Sequence, residues 1–233
     1  MEHFQIAIDG PSGSGKSTLA RSVAQKLGIL YLDTGAMYRA CGLYAVDNNV
    51  STKDESAISE LMDSIDIEIV FVNGAQKVFL NKADVTDRIR LPGISQAASD
   101  VSRFRIVRER MVDMQRQIAG EKNVVLDGRY IGSYVLPNAD FKFFLTADIR
   151  ERAKRRLEEM LSKGVHDMTI EEVMADLEYR DEQDSNRAFA PLKKTSDAIE
   201  IDTTANTPQE TLLALLGCLP KSILENAHDK DIL

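Results

Sequence analysis

The chain has 233 residues, 43% of them apolar and 28% charged, which is enough for one sizeable α/β domain and excludes a disordered chain. The net charge of -8 argues against a general binder of nucleic acid or anionic membrane; a bound anion must meet locally clustered Arg and Lys. Cys41 and Cys218 fit neither a CxxC motif nor a disulfide framework, and His3, His166 and His228 are isolated, so no zinc site is expected. There is no basic-then-apolar leader and no apolar run of about 18 residues, so the expected location is the cytoplasm. A monomer is expected.

In chain order, Phe4–Ile8 reads as an apolar strand ending at Asp9-Gly10. Ser17–Leu27 follows as a helix with Leu19, Val23 and Leu27 on one face, stopped by Gly28. Ile29–Leu32 reads as a second strand and Ala36–Val46 as a helix. The pattern then changes: Asp66–Val72 and Lys77–Leu80 are strand-like and are joined through Asn73-Gly74, a hairpin signal. Pro92–Ile118 reads as helix with a break near Ser102. Asn123–Leu126 and Phe141–Leu145 are buried strands, and Asp148–Lys163 is an Arg-rich helix closed by Gly164. Thr169 and Glu172 form a capping box. Ala198–Ile201 is a last strand, Thr207-Pro208 starts a final helix, and the polar tail from Pro220 is expected to be loosely held. Strand–helix alternation predicts a parallel sheet covered by helices on both faces.

Gly10-Pro11-Ser12-Gly13-Ser14-Gly15-Lys16-Ser17 matches G-x-x-x-x-G-K-[ST] at every fixed position and is followed by Thr18. Glycines let successive N–H groups point into one concavity, and the helix N-terminus adds partial positive charge. In such a loop Lys16, expected on an exposed loop, reaches the β- and γ-phosphates, and the Ser17 hydroxyl ligates Mg²⁺. The reading is an ATP-dependent phosphotransferase. Its rival, a GTPase switch, has one supporting tetrapeptide, Asn81-Lys82-Ala83-Asp84, but no D-x-x-G occurs in the chain; the tetrapeptide reads as a solvated turn.

Phosphoryl transfer needs cations to neutralise approaching phosphates, and Arg does this with a planar fork. Arg39, Arg108, Arg129, Arg180 and Arg187 stand at element ends or on predicted helices. Arg39 follows Asp33-Thr34-Gly35-Ala36-Met37-Tyr38, and Arg129 follows a buried strand and Asp127-Gly128. Both therefore fall where ligands bind in open α/β sheets. Asp33 and Asp127 read equally as groups orienting Mg²⁺-bound water and as strand-end caps. Arg180, Asp184 and Arg187 fall at i, i+4 and i+7, one helical face.

GPSGSGKST, LDTGAMYR, ADVTDRIR with QAASDVSRFRIVRERM, DGR followed by IGSYVLPNADFKFFLTA, and RDEQDSNRAFAPL together resemble the bacterial cytidylate kinase family, in order from Ile6 to about Thr204. The resemblance implies a three-layer P-loop kinase with a parallel central sheet and a helical lid at about 150–190. It also implies a small hairpin-bearing, monophosphate-binding insert at about 62–97, the whole forming one domain over 1–233. It implies acceptor-phosphate contacts at Arg39 and Arg129, cytosine contacts at Ser99, Arg108 and Thr34, and sugar and lid contacts at Arg180, Asp184 and Arg187. A break near Ser102 would turn both Ser99 and Arg108 inward. The implied reaction moves the γ-phosphoryl of Mg-ATP onto CMP or dCMP, with Lys16, Arg180 and Arg187 around the transferring group.

One position departs from the pattern. The family has Gly-Arg-Asp where this chain has Gly128-Arg129-Tyr130, and the resemblance places the Asp on the cytosine amino group. A phenol both donates and accepts, so the expected consequence is weaker use of CMP and relaxed base selectivity. A protein that binds ATP but transfers little is the further alternative.

Overall fold

Gln5–Asp9 forms β1, whose Ile6, Ala7 and Ile8 are fully buried, as the near-continuous apolar run of a central parallel strand requires. The computed structural model describes residues 3–72, 75–91, 93–162, 164 and 166–228. After β1 come α1 (Lys16–Leu27), β2 (Leu30–Asp33), α2 (Thr34–Asp47), α3 (Glu55–Ser64), β3 (Ile67–Val72), β4 (Ala75–Leu80) and β5 (Ala83–Asp84). Then follow a single 3₁₀ turn (Arg88–Arg90), α4 (Ile94–Val101), α5 (Arg105–Glu121), β6 (Val124–Gly128) and one π turn (Ile131–Val135). The chain continues through β7 (Phe141–Thr146), α6 (Ile149–Ser162), α7 (Ile170–Asn186), β8 (Ile199–Asp202), α8 (Pro208–Leu216) and α9 (Lys221–His228).

The central sheet runs β2-β6-β1-β7-β8. The pairings β1–β6, β1–β7 and β7–β8 are parallel, as the alternation predicts. A separate antiparallel sheet, β3-β4-β5, is the expected hairpin; its Asn73-Gly74 turn lies outside the described residues. The tetrapeptide Asn81–Asp84 crosses from β4 into β5 as an exposed turn. Asn81 and Lys82 take positive φ there. Asp84 pairs with Lys77 on the same hairpin at 3.1 Å. This is a strand reversal, consistent with the solvated-turn reading.

The chain divides into two compact units, the first up to Tyr31 and again from Asn123, the second Leu32–Lys122. In the first unit the apolar face of α1 (Leu19, Ala20, Val23, Ala24, Leu27) packs with Ile6, Ile8, Phe143, Leu145, Leu215 and Leu216. The tail from Pro220 is not loosely held up to His228: it forms α9, whose Ile223 is buried in the same cluster, because one further apolar turn covers the exposed flank of α1. Within that unit α6 and α7 form a pair with its own small core, Ala153, Val173 and Leu177. The Thr169–Glu172 capping box closes with both reciprocal bonds. Pro92 and Lys163 lie outside the described residues.

In the second unit α3 is an addition to the sequence reading. It buries only Ile58 and Met62, too few apolar positions to mark a helix by periodicity. The helix expected from Pro92 to Ile118 is two helices, broken at Ser102–Phe104 as foreseen. α2 and α4 cross at Gly42, where an added Cβ would lie 2.7 Å from the Ala98 nitrogen and 2.9 Å from the Ala97 carbonyl carbon. Gly42→Ala raises helix propensity by about 1 kcal/mol, but it must push two backbones apart. A net destabilisation of about 1–3 kcal/mol is expected from such overpacking, measured as a lowered urea midpoint. An unchanged or raised midpoint would show that the helices separate freely.

Candidate active site

The first unit carries the phosphate loop at the end of β1. Gly10 has φ 148°, and a Cβ there would lie 2.2 Å from the Leu145 carbonyl oxygen on β7, so only glycine lets the chain leave the sheet at this point. No side chain caps α1 at Gly15, which leaves the first N–H groups of the helix for an anion. The loop is pinned from behind. The Thr203 hydroxyl lies 3.1 Å from the Ser14 carbonyl, and Arg152 donates to the Ser12 carbonyl at 3.1 Å. Arg152 is itself buried and pairs with Asp181 on α7 at 2.5 Å.

Lys16 does not sit exposed as expected: it is 5% exposed and donates to the Pro11 carbonyl and, at 3.2 Å, to the Ser14 hydroxyl. The stem lies under the loop because α1 buries its first turn against the strand ends. Burial, and then the neighbouring Arg129 guanidinium, lower the Lys16 ammonium well below its usual range, while Asp127, Asp9 and Asp184 work the other way. Ser17 donates to Asp127 at 2.7 Å and Tyr31 donates to the other oxygen of that carboxylate at 2.9 Å.

Asp9, Arg152 and Asp181 were not singled out by the sequence. Asp9 ends β1, and its carboxylate accepts the Ile131 and Gly132 N–H groups, each at 2.7 Å; it thereby holds the π turn that follows Arg129 and Tyr130. A charged residue closing a buried strand was the available signal for Asp9. Arg152 had none, since it lies among Arg150, Arg155 and Arg156 in one helix.

Arg129 donates to Asp184 at 2.7 Å. Arg180, Asp184 and Arg187 do not share one helical face. α7 ends at Asn186, and Arg187 is the cap residue with extended ψ 143°. Arg180 lies 3.5 Å from Asp176, one turn back, whereas Arg187 reaches Asp184 at 3.1 Å. Burial pushes the Asp184 carboxyl up, but Arg129 and Arg187 together hold it below the usual carboxylate range. Tyr130 is buried, with the Arg187 guanidinium carbon 5.4 Å from its ring centroid.

The second unit holds the remaining candidates. Asp33 caps α2, accepting from the Ala36 N–H at 2.9 Å, and its other oxygen accepts from Arg39 at 3.0 Å. The carboxylate is thus engaged as a strand-end cap. Gln76 of β4 accepts from the Asp33 N–H at 2.8 Å, which ties the hairpin to the start of α2, where Thr34 is buried. Ser99 and Arg108 do not both turn inward. Arg108 is fully buried on α5 and donates to the Ser102 carbonyl at 3.3 Å, while Ser99 stays exposed. The break at Ser102 turns α5 but leaves the Ser99 face of α4 in solvent.

Among the described residues no cluster of His, Cys, Asp and Glu is built to hold a metal by itself, and no helix is long and apolar enough to cross a membrane. The donor set that does exist, the Ser17 hydroxyl beside the Asp127 carboxylate, is hard oxygen and suits Mg²⁺, which takes one or two protein ligands and completes its shell with water and phosphate.

The family model for cytidylate kinase matches residues 6–219. Among similar proteins, a cytidylate kinase of Halalkalibacterium halodurans is 48% identical over 96% of this chain and 100% of its own length. One of Caldicellulosiruptor bescii is 49% identical over 96% and 98%, and one of Bacillus subtilis is 48% identical over 89% and 92%.

Asp9 yields a pH test. Burial pushes its carboxyl up to about 6, against the two backbone N–H groups it accepts. A group that holds its proton more tightly folded than unfolded favours the fold below its unfolded value, and that contribution is lost as the pH rises through the folded value. Relative to Asp9→Asn, which cannot titrate, the natural protein should lose roughly 2–3 kcal/mol of unfolding free energy between about pH 4 and pH 7, measured by urea unfolding. A constant difference would mean that Asp9 titrates alike in the folded and unfolded protein.

Proposed function

The chain belongs to the cytidylate kinase family, and on that premise we propose that it transfers the γ-phosphoryl group of Mg-ATP to CMP or dCMP in the cytoplasm, giving CDP or dCDP and ADP. The observation that carries the reading is the complete phosphate loop, with Lys16 buried under it and Ser17 bonded to Asp127. The GTPase alternative gains nothing from a tetrapeptide that turns a hairpin, and relatives named cytidylate kinase lend no support to it or to a weak, unselective enzyme.

In the first unit the loop N–H groups from Gly10 to Thr18 bind the triphosphate, and Lys16 places its charge on the β- and γ-phosphates. Desolvation works against the ammonium charge of Lys16, and an incoming anion works in its favour, so the charge and the anion stabilise each other. Ser17 and Asp127 would hold Mg²⁺, which would supply positive charge to offset that of the phosphates. Arg180 and Arg187 supply positive charge to the transferring group, Arg129 contacts the acceptor phosphate, and Asp184, paired with Arg129 and Arg187, serves the acceptor sugar. The α6–α7 pair is the lid, and its closure excludes water that would otherwise accept the phosphoryl group. In the second unit Arg39 binds the acceptor phosphate, while Thr34, Ser99 and Arg108 read the base. No covalent intermediate is involved; rate comes from positioning and charge neutralisation.

A coupled ADP-release assay over a panel of nucleoside monophosphates tests this directly. ADP release should require an acceptor, with CMP and dCMP the best, and Lys16→Ala should abolish it while retaining the natural circular dichroism spectrum. Turnover with GTP in place of ATP, or a Lys16→Ala protein of near-natural rate, would refute the assignment.

Arg180→Ala and Arg187→Ala should each lower kcat about 10²–10³-fold, the size of an electrostatic contact made in the transition state, and should raise KM less. Steady-state kinetics showing KM effects alone would move both arginines to ground-state binding.

A further inference from the structure

Arg187 has no helix to hold it, since α7 ends one residue earlier. Contacts from the surrounding fold fix it instead. Its Nε donates to the Ala190 carbonyl at 3.1 Å, its Nη1 meets Asp184 at 3.1 Å, and its guanidinium carbon lies 5.4 Å from the Tyr130 ring centroid. The turn beyond it is closed by the Leu192 N–H donating to the Asp184 carbonyl at 2.7 Å. Tyr130 in turn cannot drift. It is 5% exposed, its ring meets Tyr134 at 6.3 Å, and Tyr134 meets Phe189 edge-on at 4.8 Å. Its backbone opens the π turn whose N–H groups Asp9 anchors. A line of aromatic rings therefore runs from the end of β6 to the loop beyond α7, with Arg187 against its first member.

We propose that Tyr130 is a positioning residue: its aromatic face holds the Arg187 guanidinium in place by a cation–π contact. The contact uses the π quadrupole of the ring and not the phenolic hydroxyl, so it bears on rate through Arg187 and is neutral toward the choice of base. This rests on the reading of Arg187 as a cation that acts in phosphoryl transfer.

The experiment combines kinetics with a readout independent of turnover. Tyr130→Leu should lower kcat about ten-fold, the scale of a partly desolvated cation–π contact, and change KM for CMP less than three-fold. Tyr130→Phe, which keeps the ring, should recover kcat to within about three-fold of the natural protein at an unchanged CMP-to-UMP ratio of kcat/KM. In an Arg187→Ala background Tyr130→Leu should cost nothing more. In ¹⁵N-labelled protein the Arg187 Nε–Hε signal, assigned by its loss in Arg187→Ala, should be ring-shifted in the natural and Phe proteins and lose that shift in the Leu variant. If Tyr130→Leu does not fold, Tyr130→Met, similar in bulk and without a ring, takes its place. The proposal fails if Phe loses as much as Leu, if the losses at 130 and 187 multiply, if the base ratio shifts in the Phe variant, or if the Arg187 signal is the same with and without a ring. A natural protein inactive on CMP refutes the proposed reaction, and the Arg187 signal still decides whether Tyr130 holds the guanidinium.

Discussion

Everything in the first unit is arranged around charge taken out of water at the carboxyl ends of β1 and β6. Burying Lys16 and Asp9 costs far more than burying apolar groups of their size unless partners compensate. The partners are local and specific. Asp9 is met by two backbone N–H groups, Asp127 by two hydroxyls, and Asp184 by two guanidinium groups. Lys16 alone is compensated only by loop oxygens and by carboxylates beyond direct contact. Burial and Arg129 both act against its charge.

The same constraint explains how the loop is supported. A backbone that must present N–H groups to phosphate cannot satisfy its own carbonyls by folding on itself. Those carbonyls are taken up from behind by Thr203, Arg152 and Lys16. Arg152 joins this support to α7 through Asp181. Arg152 is thereby a physical link between α7 and the loop within one unit.

The end of α7 shows what a linear pattern leaves out. The spacing i, i+4, i+7 describes one face only while the helix continues, and here it stops at Asn186. The cap residue swings Arg187 onto Asp184 and the Tyr130 ring, and Arg180 turns to Asp176. The second unit follows the same logic. A break at Ser102 was readable from the sequence, but which of Ser99 and Arg108 it buries depended on what packs against each helix.

The sequence by itself determined the phosphate loop, the parallel strand–helix order, the hairpin, the Thr169–Glu172 capping box and the family, because these rest on short-range stereochemistry: glycine at left-handed positions, apolar period, and cap residues three apart. Tertiary structure alone decided which carboxylate meets which cation, that Lys16 lies buried, that Asp33 is a helix cap, that α9 closes the core, and that Tyr130 faces Arg187. Arg, Asp and Tyr look alike wherever they stand along a chain. Their roles depend on desolvation and on partners, often more than fifty residues distant, that only the fold brings within hydrogen-bonding reach.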